Sequence, residues 1–270
     1  MLILLTNDDG VYAPGLRALR TELRKLGQVV VVAPASEQSA VGHSVTIKNP
    51  LITQEILDEN REQFGFAVEG RPADCVKLAI RELLPGTPDL VVSGLNAGGN
   101  AGINVLYSGT VAAAIEGAFF HCTSIACSLV FTEGEGAAPP DYLRGAERAR
   151  KVIEQILAHR PPVGSLFNIN IPDLEASALR GIRTVPQSIS SFEEAYDRRI
   201  DPRGRVYFWS HPDYSCPDPH PDTDVTALAE GYITVTPLQF NLTHVDLLRQ
   251  MGGWKWNLEG PAKDGPPGRC

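Results

Sequence analysis

Two adjacent carboxylates near the amino terminus are the residues best suited to chemistry in this sequence. Asp8 and Asp9 stand in the segment TNDDG, directly after the apolar run 2–6. About 4 Å apart, at an effective dielectric constant near 20, two such charges repel by about 4 kcal/mol. A hard divalent cation such as Mg²⁺ or Mn²⁺ offsets this repulsion, because oxygen ligands suit these ions better than zinc. The alternative is a turn in which one carboxylate caps the next helix.

A second set of candidates follows the apolar run 89–93, in the segment SGLNAGGNAG. Asn96 offers a neutral carbonyl oxygen to a metal ion, and the glycines let a ligand approach the backbone. The segment leads to Ser108, Gly109 and Thr110, which begin an alanine-rich helix whose free N–H groups favour an anion. Taken singly, Ser108 or Thr110 is an ordinary helix N-cap. Acidic ligands on one strand end and an anion site on another together indicate metal-assisted phosphoryl hydrolysis.

The loop after the second apolar run, ASEQSAVGHS at 35–44, adds hydroxyl groups and His43 beside the same crevice. Each hydroxyl by itself is typical of a solvated loop residue or a local backbone cap. The sequence contains neither the glycine fingerprint of a dinucleotide-binding fold nor a P-loop. It also lacks a Gly-x-Ser-x-Gly elbow, so a serine esterase is not favoured.

The elements that must position these residues alternate between apolar strands and amphipathic helices. Strands are predicted at 2–6, 28–33, 89–93, 124–130 and 166–171, and helices at 14–26, 73–84, 110–120 and 143–158. A hairpin is predicted within 45–56 around Asn49-Pro50, and a helix followed by a strand within 222–238. The alternation predicts an α/β fold, a mostly parallel sheet with helices on both faces. Such sheets bind ligands beyond the carboxyl ends of their strands.

We expect one domain over 1–270. Its parts are a core at 1–185, an extension with a return helix and strand at 186–238, and a C-terminal helix and tail at 239–270.

Charge and composition exclude several classes of protein. The chain has 270 residues, and its 24 Lys and Arg against 32 Asp and Glu give a net charge of −8. This balance argues against a partner that is a nucleic-acid polymer, which would need a basic surface. The apolar run after Met1 is too short for a signal peptide or a membrane span, so a cytoplasmic protein without a membrane partner is expected.

The cysteine count agrees with that compartment. Five cysteines are an odd number without a framework of regular spacings, which favours reduced thiols over disulfides. Cys216 lies near His211 and His220 in the sequence, but their spacing is not that of a zinc site.

Several long blocks of the sequence resemble the SurE survival-protein nucleotidases. They occur in family order from about residue 1 to residue 238. The blocks are TNDDG, VVVVAPASEQSAVGHSVT, RPADCVKLAI, VVSGLNAGGNAGINVLYSGTVAAAIEGA, LFNINIP and TDVTALAEGYITVTPL. Their combination is far more specific than any one of them.

The resemblance implies a Rossmann-like three-layer sandwich with a C-terminal extension, often exchanged between subunits of a homodimer or homotetramer. It also implies a metal-dependent phosphatase acting on nucleoside 5′- and 3′-monophosphates. One Mg²⁺ or Mn²⁺ per subunit would be held by Asp8, Asp9, Ser39 and Asn96. The turn at 108–110 falls where the family holds phosphate, which makes Asn96, Ser108, Gly109, Thr110 and His43 candidates for substrate binding. Arg71 departs from the family, many members of which have threonine before Pro-Ala-Asp.

The mechanism expected from these residues is attack by a metal-activated water on a bound phosphate. Asp8 and Asp9 are the catalytic candidates, and either Asp9 or His43 would orient or deprotonate the water. A haloacid-dehalogenase-like phosphatase is a rival, but its nucleophile position would here hold Asn7 in place of aspartate. A non-catalytic sensor of nucleotides or metals is the other alternative, because binding residues and catalytic residues look alike in a sequence.

Overall fold

The computed structural model of this chain describes residues 1–58, 60–132, 138–189, 194–212 and 220–258. The predicted C-terminal tail, together with Cys216 and Cys270, lies outside these residues. Within them, Cys75, Cys122 and Cys127 are buried and free. Contacts divide the chain into two units, residues 1–238 and residues 239–270.

Nine of the described strands form one sheet in the order β3-β4-β2-β1-β5-β6-β7-β11-β8. Neighbours run parallel except where β3 meets β4 and where β11 meets β7. Strands β9 and β10 form a separate antiparallel pair. The strands are β1 (Leu2–Thr6), β2 (Gln28–Pro34), β3 (Thr53–Leu57), β4 (Gln63–Val68), β5 (Leu90–Ala97), β6 (Thr123–Val130), β7 (Leu166–Pro172), β8 (Ile182–Thr184), β9 (Glu194–Ile200), β10 (Val206–Pro212) and β11 (Ile233–Leu238).

Helices cover both faces of the sheet. On one face, apolar side chains of α1 and α4 join the core with alternate residues of the central strands. On the other face, α2 and α3 pack on the intervening residues. The helices are α1 (Pro14–Leu23), α2 (Pro72–Leu78), α3 (Gly109–Phe119), α4 (Tyr142–Ala158), α5 (Asp224–Ala229) and α6 (Val245–Met251). The predicted α/β class with a mostly parallel sheet is confirmed.

The predicted hairpin within 45–56 is wrong. Residues 44–52 form no strand, and the Asp74 carboxylate accepts the backbone N–H of Thr46 at 3.0 Å, which fixes this segment as a loop. Strand β3 pairs instead with β4, a strand that was not predicted. Gly65 lets β4 lie against β2, because a Cβ there would be 2.3 Å from the Val31 carbonyl oxygen.

Several other elements differ from their predicted bounds or place. Helix α1 ends at Leu23, not at 26, and β5 continues to Ala97, not to 93. The α-helical part of the predicted helix 73–84 ends at Leu78 and continues as a π-helical turn, Ala79–Leu83. Strand β11 comes from the predicted extension, yet it lies inside the main sheet between β7 and β8.

The second unit contains α6, which His244 caps by accepting the backbone N–H of Leu247 at 3.1 Å. Across the described ranges, no helix combines the length and the apolar character needed to cross a bilayer.

Candidate active site

Asp8 and Asp9 lie directly after the carboxyl end of β1, where they are largely shielded from solvent. Only 6% of Asp8 is exposed, and its Oδ1 accepts a hydrogen bond from the Thr110 hydroxyl. Asp9 Oδ2 accepts the backbone N–H of Ala97 at 3.3 Å. Asn7 closes the turn by donating from Nδ2 to the Gly10 carbonyl at 3.0 Å. The turn is therefore present, but neither carboxylate caps α1, whose N-cap is Ala13. The turn presents both carboxylates to the same corner of the sheet.

Burial makes ionisation of this pair unfavourable. The pKa of Asp9 rises from 3.8 to about 7, first because the group is desolvated and second because Asp8 lies beside it. Burial also raises the pKa of Asp8, although the hydrogen bond from Thr110 opposes the rise. Glu37 adds a third negative charge that raises the pKa of both. A corner that resists negative charge in this way is electrostatically suited to a cation.

The loop that carries Ser39 packs against this corner. Gln38 donates its backbone N–H to the Asp8 carbonyl at 2.7 Å. Ser39 is exposed, and its hydroxyl donates to Glu37 Oε1 at 2.5 Å. Glu37 was missed as a site residue, because a single glutamate in a polar loop carries no distinguishing pattern.

Asn96 reaches the same edge through an irregularity in β5. The register between β5 and β6 shifts between Ser93 and Asn96, and such bulges re-aim side chains next to active sites. Asn96 Nδ2 donates to the Gly98 carbonyl at 2.7 Å. This bond leaves the side-chain carbonyl oxygen as the end of Asn96 that is available to a ligand.

The amino terminus of α3 meets Asp8 closely. Ser108 caps the helix by accepting the backbone N–H of Val111 at 3.1 Å, the ordinary alternative for this residue. Thr110 donates its hydroxyl to Asp8 and does not cap the helix. A Cβ on Gly109 would lie 2.8 Å from Asp8 Cβ, so only glycine permits this approach without displacement. The structure thus brings Asp8 and the predicted 108–110 turn together.

His43 points elsewhere on α3. Its Nε2 lies 2.8 Å from Oε1 of the buried Glu116, and its ring stacks on Phe119 with centroids 5.7 Å apart. At 1.5 Å per residue, Glu116 is about 9 Å along the helix from Thr110. His43 therefore anchors its loop to the middle of α3, while Asp8 lies at the start of the helix.

The predicted metal ligands at the corner are of different residue types. Among the described residues, no three His, Cys, Asp or Glu side chains are grouped closely enough to hold a metal ion by themselves. The predicted ligands, two carboxylates, an amide oxygen and a hydroxyl, would offer only oxygen, which suits a hard ion such as Mg²⁺ or Mn²⁺. The hydroxyl of Ser39 is bonded to Glu37 in this structure. The raised pKa of Asp9 supports the same fit, because a divalent cation offsets the charge that burial disfavours.

Comparison with known proteins decides the family. The family model described as "Survival protein SurE" matches residues 3–194. The chain belongs to the SurE family. It is 52% identical over 257 residues to "5′-nucleotidase SurE" of Rhodopirellula baltica, covering 94% of this chain and 98% of that protein. It is 44% identical over 258 residues to the protein of the same name from Syntrophobacter fumaroxidans, covering 96% of this chain and 100% of that one.

A solved structure agrees with this assignment. The chain superposes on the crystal structure of SurE from Aquifex aeolicus with a TM-score of 0.80 and 36% identity. The match covers 93% of this chain and 98% of that one. The SurE fold therefore accounts for nearly the whole length of the sequence.

A buried polar network supports the Asn96 loop of this SurE-family chain. Asn170 on β7 accepts the backbone N–H of Asn100 at 2.8 Å and donates to the Asn100 carbonyl at 3.2 Å. Asn168 donates to the same carbonyl at 2.7 Å, and Asn100 Nδ2 donates to Ser128 at 2.9 Å. The alternate asparagines in LFNINI, polar on a strand otherwise built for burial, were the available sequence signal.

Asp224 fixes the backbone just after Asn100, in the segment that leads to α3. Its two carboxylate oxygens accept the backbone N–H groups of Gly102 and Ser188, each at 2.8 Å. Asp224 precedes β11, so the return helix and strand hold the segment that leads to α3.

Proposed function

We propose that this chain is a 5′-nucleotidase that hydrolyses nucleoside 5′-monophosphates, and also 3′-monophosphates, to nucleoside and phosphate. The observation that carries the proposal is the buried Asp8, seated against the amino terminus of α3 beside the half-buried Asp9. The name that its relatives carry, 5′-nucleotidase SurE, gives the substrate class.

The proposed cofactor is one Mg²⁺ or Mn²⁺ per subunit, held by Asp8, Asp9, Ser39 and Asn96. When bound, such an ion polarises a phosphate oxygen and lowers the pKa of water. Thr110 orients Asp8 through its hydroxyl, and the Gly98 carbonyl orients the amide of Asn96. The α3 amino terminus supplies backbone N–H groups that stabilise negative charge on the phosphate oxygens.

Asp9 is the better of the two proposed residues for orienting the water or holding its proton. It lies at the strand end, bonded to Ala97 beside Asn96. The imidazole of His43 is occupied by Glu116 farther along α3. We therefore assign His43 to holding the loop that carries Ser39, with contact to the substrate confined to the ring edge that remains exposed.

Phosphate release from a panel of nucleoside 5′- and 3′-monophosphates tests the proposal. The purified chain is assayed with MgCl₂, with MnCl₂ and with EDTA, beside Asp9→Asn. Glu55→Gln, which neutralises an exposed carboxylate on β3, is the matched control. We expect metal-dependent release by the wild type and the control, and loss of turnover in Asp9→Asn. No release from any monophosphate with either metal would refute the nucleotidase and favour the sensor.

The covalent alternative is disfavoured by Asn7. Its Nδ2 is committed to the Gly10 carbonyl, and an amide is not a nucleophile for phosphate. An acid-stable phosphoenzyme would overturn this assignment.

We also propose self-association as a homodimer or homotetramer, in the cytoplasm. Exposed aromatic side chains on the β9–β10 pair support association, among them Tyr196, Phe208 and Trp209. The free thiols of Cys75, Cys122 and Cys127 are typical of a reducing compartment. Light scattering of the wild type and of Trp209→Ser, as each elutes from a size-exclusion column, measures the mass of the assembly.

A further inference from the structure

Arg71 lies at the rim of the candidate active site. It immediately precedes Pro72, the first residue of α2. Pro72 and Asp8 both lie beside Gly109, because a Cβ there would be 3.2 Å from Pro72 Cγ and 2.8 Å from Asp8 Cβ. The guanidinium Nη1 of Arg71 donates to Gln38 Oε1, and the backbone of Gln38 is bonded to the Asp8 carbonyl. Two independent contacts therefore place Arg71 beside the loop and the helix start that enclose Asp8.

The charge of Arg71 has no carboxylate partner among the described residues. Its side chain donates a hydrogen bond to the neutral amide of Gln38. Arg144 and Arg150 are paired, by contrast: Arg144 lies 2.6 Å from Asp173, and Arg150 lies 2.9 Å from Glu22. An exposed guanidinium without an acidic partner, next to a buried acidic corner, retains donors for an incoming anion.

The acidic side chains of the corner explain why a guanidinium at its rim would help an anionic substrate to bind. Asp8, Asp9 and Glu37 place three acidic side chains at this corner, and the chain carries a net charge of −8. A phosphate monoester approaching this corner is itself an anion and is repelled before it reaches the α3 terminus. A guanidinium matches phosphate oxygens with two parallel hydrogen bonds, which gives orientation as well as attraction.

We propose that Arg71 is a substrate-binding residue that contacts the phosphate group of the nucleoside monophosphate, with Gln38 holding its guanidinium at the rim. The inference rests on the proposed function and deepens it. It concerns the binding of the substrate anion and assigns no role in the chemical step.

Substitution of the side chain leaves the local fold intact. The start of α2 is secured by the Arg71 backbone N–H, which donates to Asp74 Oδ2 at 2.9 Å and does not depend on the guanidinium. Arg71→Ala therefore removes the cation without removing this bond. Arg24→Ala is the matched control, because it deletes one exposed positive charge at the carboxyl end of α1, which leads away from the site.

Steady-state kinetics with AMP and calorimetric binding of inorganic phosphate test the proposal on the full chain. We expect Arg71→Ala to raise KM and the phosphate dissociation constant about tenfold or more, since each lost charge-assisted bond weakens binding by at least that factor. We expect kcat to change less than about threefold, and Arg71→Lys to recover part of the affinity. Increased salt should weaken phosphate binding to the wild type more than to Arg71→Ala.

Two further measurements separate contact from positioning. Affinity for Mn²⁺ should be the same in the wild type and Arg71→Ala, whereas a structural effect on the Ser39 loop would lower it. Gln38→Ala should raise KM less than Arg71→Ala does, because the guanidinium remains. KM and phosphate affinity equal to those of Arg24→Ala would overturn the proposal, as would reduced Mn²⁺ affinity. Phosphate binding is measured without turnover, so its outcome stands apart from any failure of the nucleotidase assay.

Discussion

Replacing Asp9 by asparagine should make the metal-free protein more stable at alkaline pH while removing its activity. The pKa of Asp9 is about 7 in the folded state and 3.8 in the unfolded reference. Because each factor of ten in proton affinity is worth about 1.4 kcal/mol, ionising this carboxyl costs the folded state about 4 kcal/mol. Asparagine keeps nearly the same shape and still accepts the Ala97 N–H, but it carries no charge.

The sign of the pH dependence follows from the raised pKa. Between pH 3.8 and about 7 the folded state binds more protons at Asp9 than the unfolded state does. Stability from this group is therefore complete below the unfolded pKa and is lost as the pH rises through the folded value. From pH 5 to pH 8 the wild type should lose about 3 kcal/mol through Asp9, and Asp9→Asn should not.

Urea denaturation in EDTA at pH 5, 6, 7 and 8 measures this difference. The wild type is compared with Asp9→Asn and with the exposed-site control Glu55→Gln, so that titrations common to all three cancel. Added Mn²⁺ should stabilise the wild type at pH 8 and leave Asp9→Asn nearly unchanged, because only the charged pair gains from the cation. Parallel pH profiles for wild type and Asp9→Asn would refute the electrostatic account of this corner.

Three further substitutions test the groups around Asp8 and Asn96. Gly109→Ala should cost about 1–3 kcal/mol in thermal or urea unfolding, because the new Cβ meets Asp8 at 2.8 Å; unchanged stability would contradict the close contact. Thr110→Val should destabilise the metal-free protein by about 1.5–3 kcal/mol at pH 8, since Asp8 loses a buried donor. Thr110→Ser is its control and should remain near wild type. Asn170→Ala should cost about 1–3 kcal/mol and lower the affinity for Mn²⁺ in calorimetry, because the buried backbone N–H of Asn100 then loses its acceptor. If Asn170→Ala bound Mn²⁺ as tightly as the wild type, the buried hydrogen-bond network would not support the metal site.

The sequence was informative wherever local patterns and tertiary structure agree. Apolar runs at 2–6 and 28–33 became β1 and β2, because a strand covered on both faces needs nearly continuous apolar residues. The prediction failed where pairing partners were remote. Strand β4 depends on Gly65 lying against Val31, and the loop at 44–52 depends on the Asp74 carboxylate, neither of which is visible to local periodicity.

The candidate site shows the same division. Residue type and position alone indicated that Asp8, Asp9 and Asn96 share one edge of the sheet, because the carboxyl ends of parallel strands meet there, although Asn96 lies inside β5 and not after it. The orientation of the other groups was decided by hydrogen bonds to residues far away in the sequence. Thr110 is bonded to Asp8, His43 to Glu116 and Arg71 to Gln38.

The sequence by itself therefore determined the fold class through its apolar spacing, the family through the resemblance of several blocks, and the oxygen-bearing side chains of one sheet edge through residue type. Only the tertiary structure decided which carboxylate is desolvated, which histidine is already paired and which residue holds Arg71 at the rim of the site. Burial and hydrogen bonding across large sequence separations set those properties, and no local pattern encodes them.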